Sequence, residues 1–429
     1  MYSTHLWHPC SQMKDYESFN PLNITQAKGN FVYHNNKPII DAISSWWCKS
    51  LGHNHPQLQA ALITQLNLLE HTILANTTNP TIEKFTKKLC TLTRTDKVLF
   101  ASDGSCAVEI ALKMSIHARI IRGQTKKTQF AALRNSYHGE TCATLSVSDS
   151  GLYKKPYQSL LFDCTFLTAI PYVSGKKDIL WHDAKEHWFQ TQTQLEMIKD
   201  KLNAIIIEPL IQGAGGMLIY SKDYLSYLSQ WCKENDVYLI ADEIMTGIGR
   251  TGKMLACQYA NITADFICLS KGLTSGMLPL SVCLTHDFIY ALFYDDYKTQ
   301  KAFMHSHTHS GNTLACAVAL ATLETFENEQ ILDYVNHTLA PTLARNLYEV
   351  ADKTQALHNI HHLGAVVAAD IKNPSHPRQG YQVYQKAVQL GAFLRPLGNT
   401  IYWLPPLNTD LKTLNQLKDI TIQALLTLD

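Results

Sequence analysis

The chain has 429 residues, enough for two or three domains of ordinary size and for a substantial buried core. With 37 Lys and Arg against 36 Asp and Glu its formal charge is +1, which gives no electrostatic reason to expect nucleic acid or an anionic membrane as partner and leaves specific pockets to carry the function. Charged residues make up 17% and hydrophobic residues 46%, so a disordered chain is excluded and a large buried interface, hence an oligomer, is expected.

In chain order, the opening MYSTHLWHPC has no signal-peptide core, and the longest unbroken apolar run, Leu314 to Ala321, is far short of the roughly 20 residues that span a bilayer, so a cytoplasmic protein is expected. The 11 cysteines include no CxxC pair and no zinc-finger spacing, and an odd number leaves one unpaired; reduced thiols fit better than a disulfide framework. Short β-branched runs at Lys97–Ala101, Gln129–Leu133, Ala204–Glu208, Val237–Ala241, Phe266–Leu269 and Leu280–Leu284 predict strands of a buried, largely parallel sheet. Between them Ala107, Ile110, Ala111, Met114, Ala118 and Ile121 fall at helical spacing, as do residues from Tyr224 to Trp231. A long buried helix follows Asn312, and beyond about residue 330 the pattern loosens into mixed α and β, which reads as a second, smaller domain.

Three strand ends carry chemistry. In open α/β sheets ligands bind at the carboxyl ends of strands, and here VYLIA runs into Asp242, DFICLS into Lys271-Gly272, and KVLFA into Ser102-Asp103-Gly104-Ser105 ahead of a helix. A strand-end lysine can form a Schiff base with an aldehyde if its pocket stabilises the neutral amine. A carboxylate such as Asp242 can keep a pyridinium nitrogen protonated, and a turn at a helix N-terminus offers N–H groups to a phosphate. Taken singly, each has a bland reading as a surface lysine, a loop cap or an N-cap; together they are the requirements for pyridoxal phosphate.

Longer words supply the context. IADEIMTGIGRTGK (240–253), CLSKGLTSGMLPLS (268–281), IIEPLIQGAGG (206–216) and NSYHGETCATLSVS (135–148) resemble, in order, the motifs of the class III, fold-type I aminotransferases, a likeness running from about His5 to Pro406. HLWHP (5–9), SSWWCKSLGHNHP (44–56), ASDGSCAVEIALKM (101–114) and LRPLGNTIYWLPP (394–406) resemble the biotin-pathway branch of that class, which aminates 8-amino-7-oxononanoate. The resemblance implies an α/β fold: a large cofactor domain (56–315) with a mostly parallel, seven-stranded-type sheet flanked by helices, and a smaller α+β domain formed by 316–429 with the N-terminal segment 1–55. It also implies that Lys271 carries the Schiff base, Asp242 pairs with the pyridine nitrogen, Gly104 and Ser105 hold the phosphate and Tyr137 stacks on the ring. Thr308 would reach the phosphate from the neighbouring subunit of a homodimer, with His307 and Ser306 of the same loop flanking the phosphate and the substrate. Trp46 and Trp47 offer aromatic walls and Arg395 a carboxylate clamp, with Arg250 and Tyr402 as further substrate-side residues. Glu208 and Gln212 match positions near the cofactor, with a capped loop as the alternative.

The sequence departs from the pattern at three places. Cys10 stands where the branch that uses S-adenosylmethionine has Tyr, Glu140 where it has Asp, and Ser306-His307-Thr308 where it has Gly-Pro-Thr. All three touch substrate recognition and spare the cofactor chemistry, so the amino donor is open between S-adenosylmethionine, the expectation here, and lysine. SSWW and the RPLG ending speak against a general ω-amine aminotransferase, and Lys271, Asp242 and Thr308 against a cofactor-binding scaffold without turnover. No metal is expected; His305, His307 and His309 alternate on one segment but lack an evident acidic or thiolate partner.

Overall fold

The structure, a computed structural model, describes residues 5–427. Its centre is a seven-stranded sheet built from β1 (Lys97–Ala101), β2 (Gln129–Leu133), β3 (Cys164–Leu167), β4 (Leu202–Ile207), β5 (Tyr238–Asp242), β6 (Phe266–Leu269) and β7 (Ser281–Thr285) in the order β1-β7-β6-β5-β4-β2-β3. The pairs β3/β2, β2/β4, β4/β5 and β5/β6 are parallel; only β7 runs the other way, antiparallel to both β6 and β1. Every residue of β4, β5, β6 and β7 is buried. Because side chains alternate across a strand, Ile205, Ile207, Leu239 and Leu269 join one apolar layer while Ala204, Ile206, Ile240 and Cys268 join the other. Helix α1 (Gly104–Ile121) packs its Ala107, Ile110, Ala111 and Met114 into the second layer.

The topology has one consequence for function. The parallel strands β2, β4, β5 and β6 point their carboxyl ends to one edge, and β1, reversed twice through β7, ends at that edge too. Asp242 closes one of those strands, and Tyr137, Glu208, Lys271 and the start of α1 follow the others, so the sheet gathers residues far apart in sequence.

Around this sheet, Leu357–Leu363, Val366–Ile371 and Thr400–Trp403 form a three-stranded antiparallel sheet. The helix Ala340–Thr354 packs on its strands and on the helix Leu411–Leu426. Near the N-terminus, Ile24–Lys28, Phe31–His34 and Lys37–Asp41 make an antiparallel meander whose last strand pairs in parallel with Ala392–Phe393. The helices expected after Asn312 and around Tyr224–Trp231 run over Thr313–Asn328 and Lys222–Glu234.

The strand expectations shift at their ends. β4 starts at Leu202 and stops before Glu208, β7 starts at Ser281, and Asp242 is the last residue of β5, its backbone paired in register with Cys268. β3 was not expected: CTFL is short, partly exposed and lies at the sheet edge, so it lacks the run of buried β-branched residues that marks its neighbours. Among the described residues all eleven cysteines are free and no helix is long and apolar enough to cross a membrane.

Candidate active site

Lys271 leaves β6 through a left-handed residue, φ 40°, and points its amine at the Trp47 ring, 4.5 Å from the centroid. Burial lowers the amine's pKa, against the opposing pull of negative charge at Asp242, Glu208 and Cys48. Asp242 is almost fully buried, and so is His138, whose Nδ1 lies 2.8 Å from Asp242 Oδ2. The other carboxylate oxygen accepts the Ile244 N–H at 3.2 Å. A buried carboxylate anchored on two sides in this way is kept at a fixed place and orientation. Glu208 is buried beside them, accepting N–H bonds from Tyr137 and Gly213 at 2.9 Å each; burial outweighs these bonds and the nearby His138 and lifts its pKa to about 7.

The start of α1 faces the same cavity, whose volume is about 200 Å³. An α-helix leaves its first N–H groups without partners inside the helix. Here the Asp103 side chain caps Cys106 N at 3.1 Å, while Gly104 and Ser105 line the cavity. Gly139 sits against them at φ 124°, and any Cβ there would strike Ser105 Oγ, so only glycine lets the Tyr137–Glu140 segment close over the helix end. Tyr137 donates its hydroxyl to Glu140 Oε1 at 2.8 Å; burial, then this acidic neighbour, raises its pKa.

The outer wall is built by an unusual turn. Ser44, Ser45, Trp46 and Trp47 all have positive φ, between 44° and 72°, a left-handed turn in four consecutive L-residues that costs roughly 1–2 kcal/mol at each. It presents Trp47 to Lys271 and leaves Trp46 half exposed beneath the Arg395 guanidinium, 4.3 Å from the ring centroid. Trp47 Nε1 donates to the Tyr402 hydroxyl at 2.9 Å, so Tyr402 acts on the pocket through Trp47 and does not line it. Arg395 Nη2 also donates to the Cys10 carbonyl at 2.9 Å. Cys10 and Tyr153, together with Tyr137 and Arg395, border both this cavity and a wider one of about 830 Å³ that opens outward between the N-terminal segment and residues 377–400.

The structure thus gathers Lys271, Asp242, Tyr137, Gly104, Ser105, Trp46, Trp47, Arg395, Cys10, Glu140 and Glu208 around one space. Five other expected residues, Arg250, Gln212, Ser306, His307 and Thr308, lie outside its walls within this chain. Arg250 is buried and donates Nη1 to the Pro405 carbonyl at 2.6 Å, with burial lowering its pKa to about 9. Ser306, His307 and Thr308 sit on a separate loop, where His71 Nε2 meets the Thr308 carbonyl at 3.0 Å and Lys113 Nζ meets His305 Nδ1 at 2.8 Å. Gln212 donates to the Arg134 carbonyl and accepts from Tyr172, both at 2.7 Å. Among the described residues no three His, Cys, Asp or Glu side chains converge as a metal site requires. Sequence reading missed His138 and Tyr153, for neither of which a signal stood out.

A partly buried amine with lowered proton affinity, an anchored carboxylate, a helix N-terminus and an aromatic wall are the donor set that a phosphorylated pyridine aldehyde needs, so the site fits pyridoxal phosphate. Known proteins agree. The family profile Aminotransferase class-III matches residues 12–425. An adenosylmethionine-8-amino-7-oxononanoate aminotransferase of Helicobacter pylori is 41% identical over 94% of this chain and 91% of its own length. The crystal structure of the enzyme of that name from Methanocaldococcus jannaschii superposes with a TM-score of 0.91 at 31% identity, covering 98% of this chain and 96% of that one. An amine transaminase from an uncultivated Pseudomonas species, in its PLP-bound form, gives 0.90 at 28% identity, covering 99% and 98%. With the profile spanning nearly the whole chain, the protein belongs to the class-III aminotransferases.

Proposed function

We propose that this protein moves an amino group from S-adenosylmethionine to the ketone of 8-amino-7-oxononanoate, giving 7,8-diaminononanoate for biotin synthesis, with pyridoxal phosphate as cofactor. The observation that carries the reading is the 41% identity, over 94% of the chain, to a relative named for that reaction. In this reading Lys271 holds the cofactor's aldehyde carbon, Gly104 and Ser105 its phosphate, Asp242 its ring nitrogen and Tyr137 one face of its ring. When bound, the cofactor supplies an aldehyde that takes up the donor's amine and a ring that accepts the electron pair left by a departing proton.

The chain's own residues do the rest. Lys271 Nζ, its proton affinity lowered by burial, holds the transferred proton and returns it. Asp242, anchored by His138 Nδ1, presents fixed negative charge to a protonated ring nitrogen. Arg395 clamps the carboxylate of the keto acid, whose apolar chain lies along Trp46 and Trp47. Ser306, His307 and Thr308 serve the site of a second copy in a homodimer; their place outside their own chain's cavity supports this. The eleven free cysteines support a cytoplasmic location.

Lysine is the second reading for the donor, favoured by Cys10 and His307 standing where the S-adenosylmethionine pattern has other residues. The test is to give the purified protein 8-amino-7-oxononanoate with S-adenosylmethionine or with lysine and to follow product by mass spectrometry. Diaminononanoate with S-adenosylmethionine is expected. Product with lysine alone moves the donor assignment, and product with neither ends the reading.

A further inference from the structure

Four consecutive left-handed residues without a glycine do not hold themselves, and a buried carboxylate beside them supplies the bonds that do. Asp41, 1% exposed, stands at the end of the strand Lys37–Asp41. Its Oδ1 accepts the backbone N–H of Ser45 at 3.0 Å and that of Ile43 at 3.4 Å. Its Oδ2 accepts the Ser45 hydroxyl at 2.6 Å and meets His53 Nε2 at 2.8 Å. The bonds from Ile43 and Ser45 tie Asp41 to the turn that carries Trp46 and Trp47, and His53 holds the carboxylate in place. Burial would raise the Asp41 pKa, but the bonds from His53 and Ser45 outweigh it and keep the group ionised. The same strand is paired in parallel with Ala392–Phe393, Asp41 in register with Phe393, so Arg395 stands two residues beyond the end of that partner strand. The stack of Arg395 on Trp46 therefore joins two segments whose relative position is set at Asp41.

We propose that Asp41, with Ser45 and His53, is the positioning device for the substrate wall: it locks the left-handed Ser44–Trp47 turn and so fixes the Trp46–Arg395 stack and the Trp47 face for the keto acid's apolar chain and carboxylate. None of the three lines the cavity, so they act through the Trp pair and not on the reacting atoms. The kinetic arm rests on the function proposed above; a spectroscopic arm does not.

The variants are Asp41→Asn, Ser45→Ala and Ser45→Gly in the cofactor-loaded protein. Ser45→Ala keeps the unfavourable backbone and loses the hydroxyl bond, whereas Ser45→Gly loses the bond but removes the backbone cost. Expected are normal cofactor absorbance in all three, a KM for 8-amino-7-oxononanoate raised at least tenfold in Asp41→Asn and Ser45→Ala at little changed kcat, and recovery of most of that rise in Ser45→Gly. The near-UV circular dichroism of the two impaired variants should move toward that of a Trp46→Phe, Trp47→Phe double variant. If wild type turns over no keto acid, the function falls and the dichroism still judges the clamp. Folded, cofactor-loaded Asp41→Asn and Ser45→Ala proteins with KM within twofold of wild type, or with an unchanged tryptophan spectrum, overturn the proposal.

Discussion

Glu208 gives the site a pH signature that can be worked out in advance. Its carboxyl is buried at the end of β4, and its pKa is raised from 4.5 to about 7 by that burial, despite two backbone N–H bonds. At the lowest pH the carboxyl is protonated in both folded and unfolded chains. Between 4.5 and about 7 the folded chain keeps a proton that the unfolded chain releases, so stability falls as pH rises through that window and levels off above it. At about 1.4 kcal/mol per tenfold change in proton affinity, the loss is about 3 kcal/mol over the full window, most of it between pH 5 and pH 8. Glu208→Gln removes the titration. The amide's NH₂ then faces one backbone N–H, a cost of about 1–3 kcal/mol that is the same at every pH. Urea unfolding of cofactor-free wild type and variant across this range should therefore show the variant less stable at pH 5 and gaining about 2–3 kcal/mol on wild type by pH 8. A difference between the two proteins that stays flat with pH, within about 0.5 kcal/mol, refutes a buried, proton-holding Glu208.

Other perturbations separate the parts of the site. Lys271→Ala should abolish both the visible absorbance of bound cofactor and amino transfer; retained turnover in a coupled assay would count against Lys271. Arg395→Ala removes a charge-assisted clamp of about 2–3 kcal/mol, so the KM for the keto acid should rise roughly 30-fold to 150-fold with cofactor absorbance intact. Gly139→Ala forces a side chain at φ 124° into Ser105 Oγ and should weaken cofactor binding, measured by titration, while lowering stability by about 1–3 kcal/mol. Tyr402→Phe leaves Trp47 Nε1 without its acceptor and should cost about 1–2 kcal/mol in chemical denaturation.

Much of this arrangement is legible in the sequence because parallel strands deliver their chemistry locally. A run such as VYLIA announces a buried strand, and the polar residue that ends it, Asp242, must then stand at the ligand edge; Lys271 and the Ser102–Ser105 turn follow from the same rule. What stays hidden is contact across distance and conformation without a marker. His138 meets Asp242 across 104 positions, and nothing in its immediate neighbours signals that pairing. Positive φ is ordinarily read from Gly or Asn, and Ser44–Trp47 contains neither, so the turn and the part of Asp41 in holding it emerge only from coordinates. The edge strand β3 escapes for the opposite reason: its four residues are too few and too exposed to show a pattern.

Trapping the cofactor on the protein shows which amine holds it. Borohydride reduction of the cofactor-loaded protein, proteolysis and mass spectrometry should find the reduced pyridoxyl group on the peptide containing Lys271 and nowhere else. A group fixed to any other lysine, or none fixed at saturating cofactor, would contradict the account.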